Sequence, residues 1–336
     1  MGGRLLRSML EQPLIERKEI ERRLDAVEEL CGDSVSRDEI REYLNPVYDL
    51  ERLLSKVTYK TANPRDFISF RNSLEMLPAI KSVLKGFSSE ELKAAENDID
   101  GLQDIFQLIR ASIEEEPPVT IREGGIIKDG FDETVDTLRS AKRDGKQWLA
   151  QLEEQDRERT GIKNLKIKYN KIFGYYLEVT NSYQNLVPDY FTRKQTLANA
   201  ERYITPKLKE LEDVILGAED KLIALEYELF RTIRESIAAE VLRIQKTAKA
   251  IARLDVFASF AYVAEQNHYC KPKLNEKGVI DIKGGRHPVV ENMIHNEMFI
   301  CNDTYLDNNK QRISIITGPN MAGKSTYMRQ SALIVR

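Results

Sequence analysis

Behind Thr205, Pro206 opens a stretch in which no further proline occurs until Pro272, and this run constrains the fold more than any other feature of the chain. Within it Leu208, Leu211, Ile215, Leu222, Leu225, Leu229, Ile233, Ile237, Val241, Ile244, Ile251 and Leu254 recur at spacings of three, four or seven, which places them on one stripe of a helix. Proline at the first helical position, preceded by a threonine able to cap, is a standard start. At 1.5 Å per residue, roughly 60 residues make a rod of order 90 Å, broken or bent at most near Gly217. One globular core does not accommodate such a rod, so a second long helix has to accompany it. Asp132 to about Arg159 supplies one, with Val135, Leu138, Trp148, Leu149 and Leu152 on its apolar side and Gly161 closing it. Trp148 is expected between the two helices. The economical arrangement is an antiparallel pair with residues 161–205 held as an insertion at their common end.

The insertion has a different period. KNLKIKYNKIFGYYLEVT, Lys163 to Thr180, alternates β-branched and aromatic residues around a turn at Asn170 to Gly174, the pattern of a β-hairpin. Tyr169, Tyr175 and Tyr176 are expected to form the hydrophobic side of the small sheet. Between Lys163 and Lys209 nine basic residues face three acidic ones, a local +6 in a chain of net charge -3. On charge alone this is either a solvated face or a surface for nucleic-acid phosphates, whose neutralisation releases counterions whatever the base sequence. Lys168, Lys171, Arg193 and Lys194 are the candidate phosphate contacts, and Asn170, Asn181, Ser182, Gln195 and Asn199 can add neutral hydrogen bonds.

The rest of the chain frames these segments. Arg4 to about Ser112 is helical in period, with Asn63 and Pro64 starting one helix and Pro117 and Pro118 ending another. From Val279 the pattern turns to short strands and loops. The expected fold is mainly α with a small β-rich insertion: long antiparallel lever helices plus, from GPNMAGKS at Gly318 to Ser325, the beginning of a P-loop α/β domain. No apolar run reaches the roughly 18 residues of a membrane span, and the charged start does not suit a signal peptide, so the expected location is cytoplasmic. Cys31, Cys270 and Cys301 match neither a metal knuckle nor a disulfide framework, and His268, His287 and His295 lack the spacing of a metal pair. His287 before Pro288, and the Gly124–Gly125 pair, read as structural.

ISIITGPNMAGKSTYMRQSALIV, Ile313 to Val335, contains GxxxxGK[ST] from Gly318 to Ser325 between an apolar run and an amphipathic one. Gly318 and Gly323 allow a backbone curl whose N–H groups face phosphate oxygens at a helix N-terminus. Lys324 would pair with the β- and γ-phosphates of ATP, and the Ser325 hydroxyl would ligate Mg²⁺. The apolar run Ile313 to Thr317 is expected to be a strand.

GPNMAGKST followed by YMRQ resembles the MutS family of DNA mismatch-repair ATPases. So do GRHPVVE at Gly285 to Glu291, NEMFI at Asn296 to Ile300, GYYLEVT at Gly174 to Thr180, and RKQTLANAERYITPKLKELE at Arg193 to Glu212, in family order over nearly the whole chain. The resemblance implies that Phe299 stacks on adenine and that Asn320 lies close to the terminal phosphate. Pro319, Met321, Ala322 and Thr326 would complete the nucleotide site, with Ala322 where many members have glycine. It implies a DNA clamp at residues 161–205 between a helical core with outgoing lever (1–160) and a returning lever (206–271), followed by the start of the ATPase domain (272–336). The implied partners are mismatched double-stranded DNA, a second copy in the parent protein, and downstream repair proteins. The family's aromatic-x-Glu wedge has no counterpart in this sequence, nor do the acidic Walker B strand, the signature loop and the C-terminal dimerisation element, so the chain alone is expected to show little ATP hydrolysis. A recombination-related member, which typically lacks the clamp, and a noncatalytic DNA-binding module are the alternatives.

Overall fold

A computed structural model describes residues 1–170, 172–294 and 298–335. In chain order come α1 (Gly2–Glu11), α2 (Arg17–Gly32), α3 (Ser34–Leu44), α4 (Leu50–Thr58), α5 (Pro64–Glu75), α6 (Leu77–Leu84), α7 (Glu90–Asp98) and α8 (Gln103–Ser112). A 3-10 turn at Ile121–Glu123 precedes α9 (Glu133–Thr160), β1 (Lys166–Asn170) and β2 (Gly174–Thr180). After a second 3-10 segment, Asn181–Leu186, come β3 (Thr192–Thr196), β4 (Ala200–Ile204), α10 (Pro206–Ala239) and α11 (Val241–Gln266). The last elements are β5 (Ile280–Gly285), α12 (Pro288–Met293), β6 (Asn302–Leu306) and α13 (Lys324–Val335). The chain is mainly α with a small β insertion, as its periodicity predicts, and it divides into two compact units.

One unit comprises Glu42–Val83 and Glu96–Ile251. Its helical core is built on α4, α5, α8 and α10, with Leu50, Phe67, Phe70, Leu74, Ile109 and Phe230 buried. Phe67 and Phe230 meet edge-on at 5.0 Å between ring centroids. At α5 the Asn63 side chain accepts the Asp66 N–H, Asp66 accepts the Asn63 N–H, and Pro64 occupies the first turn, so both orphan donors are satisfied. The start of α9 is capped by Asp132, which accepts from Thr134 and Val135, and its end by Gly161 at φ 72°.

Helices α9 and α10 pack antiparallel. The site of Gly145 faces Ile215, Lys142 pairs with Glu219 at 2.7 Å, and Arg139 pairs with Glu226 at 2.7 Å, so numbers fall along one helix as they rise along the other. Gly124 and Gly125, at φ 72° and 75°, form a turn whose Gly125 N–H donates to the fully buried Glu226 at 2.6 Å. Two expectations are corrected here. The rod is not continuous: α10 passes through Gly217 unbroken and ends at Glu240, whose N–H bonds Ile237 O at 3.1 Å in a tightened last turn. Arg243 then gathers Glu240, Asp100 and Asp104 around the break. Trp148 is 42% exposed rather than held between the helices. At 3.6 residues per turn, Gly145, Leu149 and Leu152 occupy the inward stripe, and Trp148 lies about 100° away from Leu149.

The four strands of the insertion form an antiparallel sheet in the order β1-β2-β4-β3. Ile162, Leu165, Leu177, Val179, Phe191 and Tyr203 pack with Leu149 and Leu152 of α9 and Leu208 and Ile215 of α10. Full burial of a Leu or Val contributes about 1.5–3 kcal/mol, so this small core ties the sheet to both helices.

The other unit contains Gly2–Arg41, Leu84–Ala95 and the chain from Ala252 onward. Glu29 of α2 accepts from the Ser88 and Ser89 N–H groups ahead of α7, at 2.6 and 2.8 Å. Strands β5 and β6 form an antiparallel hairpin with Ile280 opposite Leu306 and Ile282 opposite Thr304. The expected strand Ile313 to Thr317 is corrected: this run is not a strand, and Ile313 and Ile315 are exposed. No strand lies alongside it among the described residues, and an unpaired extended run has no ladder to satisfy its backbone groups.

Candidate functional site

Antiparallel register sorts the sheet by face. Ile167, Leu177 and Tyr203 share a row, and Tyr169 faces Tyr175; this face looks toward the core. Lys166 and Lys168 of β1, Glu178 of β2 and Arg202 of β4 lie on the other. There Lys168 bonds Glu178 at 2.7 Å, while the Arg202 guanidinium sits over the Tyr176 ring at 4.4 Å and donates to Gln195 at 2.7 Å. Tyr176 therefore does not share the hydrophobic side with Tyr169 and Tyr175. Adjacent residues of a strand point to opposite faces, and Tyr176 serves as the bed of an arginine.

Edge strand β3 pairs Arg193 with Tyr203 and Gln195 with Arg202, and the register shifts between them. Lys194 is the bulged residue, exposed, with no ion pair among the described residues; a bulge re-aims the side chain away from the ladder. Arg193 pairs with the buried Glu201 at 3.1 Å, and the Tyr203 hydroxyl donates to the same carboxylate. Burial and that bond push the Tyr203 phenol up to about 12. The Glu201 carboxyl is held below its ordinary value by the Tyr203 hydroxyl and, against the effect of burial, by Arg193.

At the end of the sheet where β2 gives way to Asn181, neutral polar groups gather. Asn181 Nδ2 donates to Ala198 O at 3.1 Å and its N–H to Asn199 O at 3.2 Å. Ser182 Oγ lies 3.0 Å from Thr180 Oγ1, which accepts from Asn164 Nδ2 at 2.7 Å. Asn181, Ser182 and Asn199 are thus brought together and exposed, joined by Asn164 and Thr180, which no motif singles out. Asn170 lies at the other end of β1, where its Oδ1 accepts Ile172 N–H at 2.9 Å and shapes the turn. Lys171 lies outside the described residues. Of the nine cations, Lys168, Arg193 and Lys209 are neutralised locally, whereas Lys163, Lys166 and Lys194 have no ion pair among the described residues and are open to an anion.

The phosphate-loop motif leads directly into α13. Gly323 has φ 80° and Met321, fully exposed, has φ 66°, an uncommon conformation for a side-chain-bearing residue, of the kind that gathers at ligand clamps. Lys324 Nζ donates to Gly318 O at 2.5 Å and Pro319 O at 2.6 Å, so the loop winds around its own ammonium. The stretch Gly318 to Gly323, which includes Asn320 and Ala322, is exposed, as is Ser325; Thr326 is half-buried. Tyr327 and Ser331 of α13 meet Thr304 of β6 at 2.9 and 3.1 Å, which seats the helix on the hairpin. Such an arrangement can receive an anion on free helix N–H groups with the ammonium beside it. The His/Cys/Asp/Glu side chains among the described residues form no group of three that could hold a metal. Phe299 is half-buried between exposed neighbours; Asn296 of its segment lies outside the described residues. His287, 5% exposed, accepts Val289 and Val290 N–H groups at the start of α12, which is the structural role expected of it.

A phosphate-loop motif opening a helix, in one chain with two long antiparallel helices that carry a four-stranded sheet between them, defines the class: a P-loop protein with a helical, sheet-bearing domain. The chain belongs to the MutS family, since MutS domain III matches residues 1–261 and MutS domain V matches residues 314–336. It is 65% identical over 335 residues to a protein of Lachnoclostridium phytofermentans named DNA mismatch repair protein MutS, across 100% of this chain and 36% of that protein. Proteins of the same name from Caldanaerobacter subterraneus and Ruminiclostridium cellulolyticum are 58% and 57% identical, again over 100% of this chain and 38% of theirs. The chain therefore spans little more than a third of the length of these relatives.

Proposed function

We propose that this chain is the DNA-clamp, lever and phosphate-loop portion of a DNA mismatch-repair ATPase. In this reading the sheet between α9 and α10 grips the backbone of mismatched duplex DNA, and the loop at Gly318 to Thr326 receives ATP with Mg²⁺. The observation that carries the DNA part is the sheet itself, with Lys194 bulged from its free edge and Asn164, Thr180, Asn181, Ser182 and Asn199 gathered at its far end. Neutral donors beside lysines that have no ion pair among the described residues suit phosphates, and contacts to phosphates carry no base sequence. The sheet also favours mismatch repair over a recombination-related relative without a clamp. For the nucleotide, Lys324 would meet the β- and γ-phosphates, Ser325 the Mg²⁺, and Phe299 the adenine; Mg²⁺ neutralises charge developing on the phosphates. A homodimeric parent, downstream repair proteins as partners and a cytoplasmic location complete the reading. No helix among the described residues is long and apolar enough to cross a membrane.

Binding to labelled duplexes of unrelated sequence, titrated with salt, tests the DNA part. The expected result is weak, sequence-independent binding whose logarithm falls with log salt at about -0.9 per phosphate neutralised. Affinity for one sequence only, or binding indifferent to salt, would count against it.

A further inference from the structure

We propose that Glu153 of α9 and Glu212 of α10 are positioning residues for DNA binding: their carboxylates fasten the β1–β2 hairpin to the two long helices and set the direction in which the sheet presents its phosphate-contacting groups. The inference rests on the reading of the sheet as a DNA clamp and deepens it.

Glu212 is 5% exposed. A carboxylate buried to that extent is costly unless hydrogen-bonded, and its partners come from the hairpin and from its own helix. Its Oε2 accepts the Tyr175 N–H at 2.6 Å, and Lys209 holds Oε1. Strand β2 begins at Gly174, whereas its pairing with β4 begins at Leu177 opposite Tyr203. The carboxylate of α10 thus serves as acceptor where the β4 ladder has ended. The turn is shaped to admit it: Gly174 has φ 74°, and a Cβ there would stand 2.2 Å from Glu212 Oε2. Any other residue would push the carboxylate away.

Strand β1 is the sheet's other edge, and α9 covers it in the same manner. Glu153 Oε2 accepts the Ile167 N–H at 2.8 Å, while Arg157, paired with Glu153, donates to Leu165 O at 3.2 Å. One strand of the hairpin is therefore fastened to α9 and the other to α10, each through a charge-assisted bond stronger than a neutral one. A slide of α9 along α10 has to turn the hairpin or break one of the two fastenings. Lys166, which has no ion pair among the described residues, rides on that hairpin, so its aim follows the helices.

The experiment measures duplex DNA affinity across a salt series by fluorescence anisotropy, with the whole chain. Glu153→Ala and Glu212→Ala are each expected to weaken binding about three- to tenfold and to flatten the salt slope by about one unit, the loss of one phosphate contact. Glu153→Gln and Glu212→Gln, which keep an acceptor oxygen, recover most of the affinity. Amide exchange at Ile167 and Tyr175 accelerates in the Ala variants while the helical circular dichroism at the assay temperature is unchanged. Gly174→Ala, which displaces the carboxylate without removing it, reproduces the loss seen with Glu212→Ala and serves as the test if that variant does not fold. DNA binding by the unsubstituted chain that all of these variants retain, in affinity and slope, overturns the positioning role and leaves the clamp standing. A failure of the Gln variants to recover binding also overturns it. Absence of DNA binding by the unsubstituted chain overturns the clamp reading, and this inference with it.

Discussion

Glu201, Tyr203 and Arg193 make the most consequential side-chain group of the sheet, because the carboxylate is 4% exposed and both partners act on its charge. The phenol is pushed up to about 12, so its neutral form contributes stability that is complete below an ordinary phenol's value and lost as pH rises through the raised one. The Glu201 carboxyl is lowered, so its contribution is present above the ordinary carboxylate value and lost as pH falls through the lowered one. An ultraviolet titration is expected to include a phenol ionising near pH 12, and the late phase should be smaller by that phenol in Tyr203→Phe. A late phase of undiminished size in Tyr203→Phe would exclude Tyr203 as its source. The same geometry separates two neighbouring cations that look equivalent in sequence. Arg193→Ala leaves a buried carboxylate without its cation and disturbs the sheet, whereas Lys194→Ala removes only a bulged charge with no ion pair among the described residues. Lys194 is the cleaner probe of phosphate contact.

At the scale of elements, the seam between α9 and α10 depends on one missing side chain. Gly145 is buried, and a Cβ there would stand 2.4 Å from Ile215 Cγ1. Glycine inside a helix ordinarily costs about 1 kcal/mol relative to alanine, so intrinsic propensity favours Gly145→Ala. Overpacking opposes it by typically about 1–3 kcal/mol, and the close approach lets the clash win. Denaturant unfolding is expected to show Gly145→Ala destabilised, with Ile215→Val in the same chain restoring part of the loss; a stabilised single variant would mean that the helices stand farther apart. Below this contact, Arg139 pairs with Glu226, which is fully buried and also receives the Gly125 N–H. Removing the partner of a buried charge costs about 3–5 kcal/mol. Arg139 is itself 28% exposed, so water can enter after Arg139→Ala, and the loss belongs at the low end of that range.

For the whole molecule, the two proposed sites share no residue, so they should fail separately. Lys194→Ala is expected to weaken binding to every duplex by a similar factor and to reduce the salt slope by about one, without altering the binding of a fluorescent ATP analogue. Lys324→Ala is expected to abolish binding of the analogue while leaving DNA affinity in place; loss of DNA binding in this variant would contradict the separation. Much of this organisation was legible in the chain because it is written in local chemistry. The apolar stripe behind Thr205 and Pro206, the Asp132 and Gly161 ends of α9, the change of period at Lys163 and the GxxxxGK[ST] spacing each report on residues within a turn or two of one another. What escaped depends on partners distant in sequence. The end of α10 at Glu240 lies where Arg243 meets Asp100 and Asp104, and Trp148 faces outward because Gly145 sits against Ile215. Tyr176 lies under an arginine of β4, and Lys168 and Arg193 of the basic island are neutralised by carboxylates that strand pairing brings beside them. Ile313 to Thr317 shows the reverse case, a run with strand composition and, among the described residues, no neighbouring strand to satisfy its backbone. Sequence alone determined which segments are helix, hairpin and phosphate loop, since periodicity and caps act over a few residues. Only the tertiary structure decided which charges remain free and where the long helix stops, because those depend on which side chains long-range packing places within hydrogen-bonding reach.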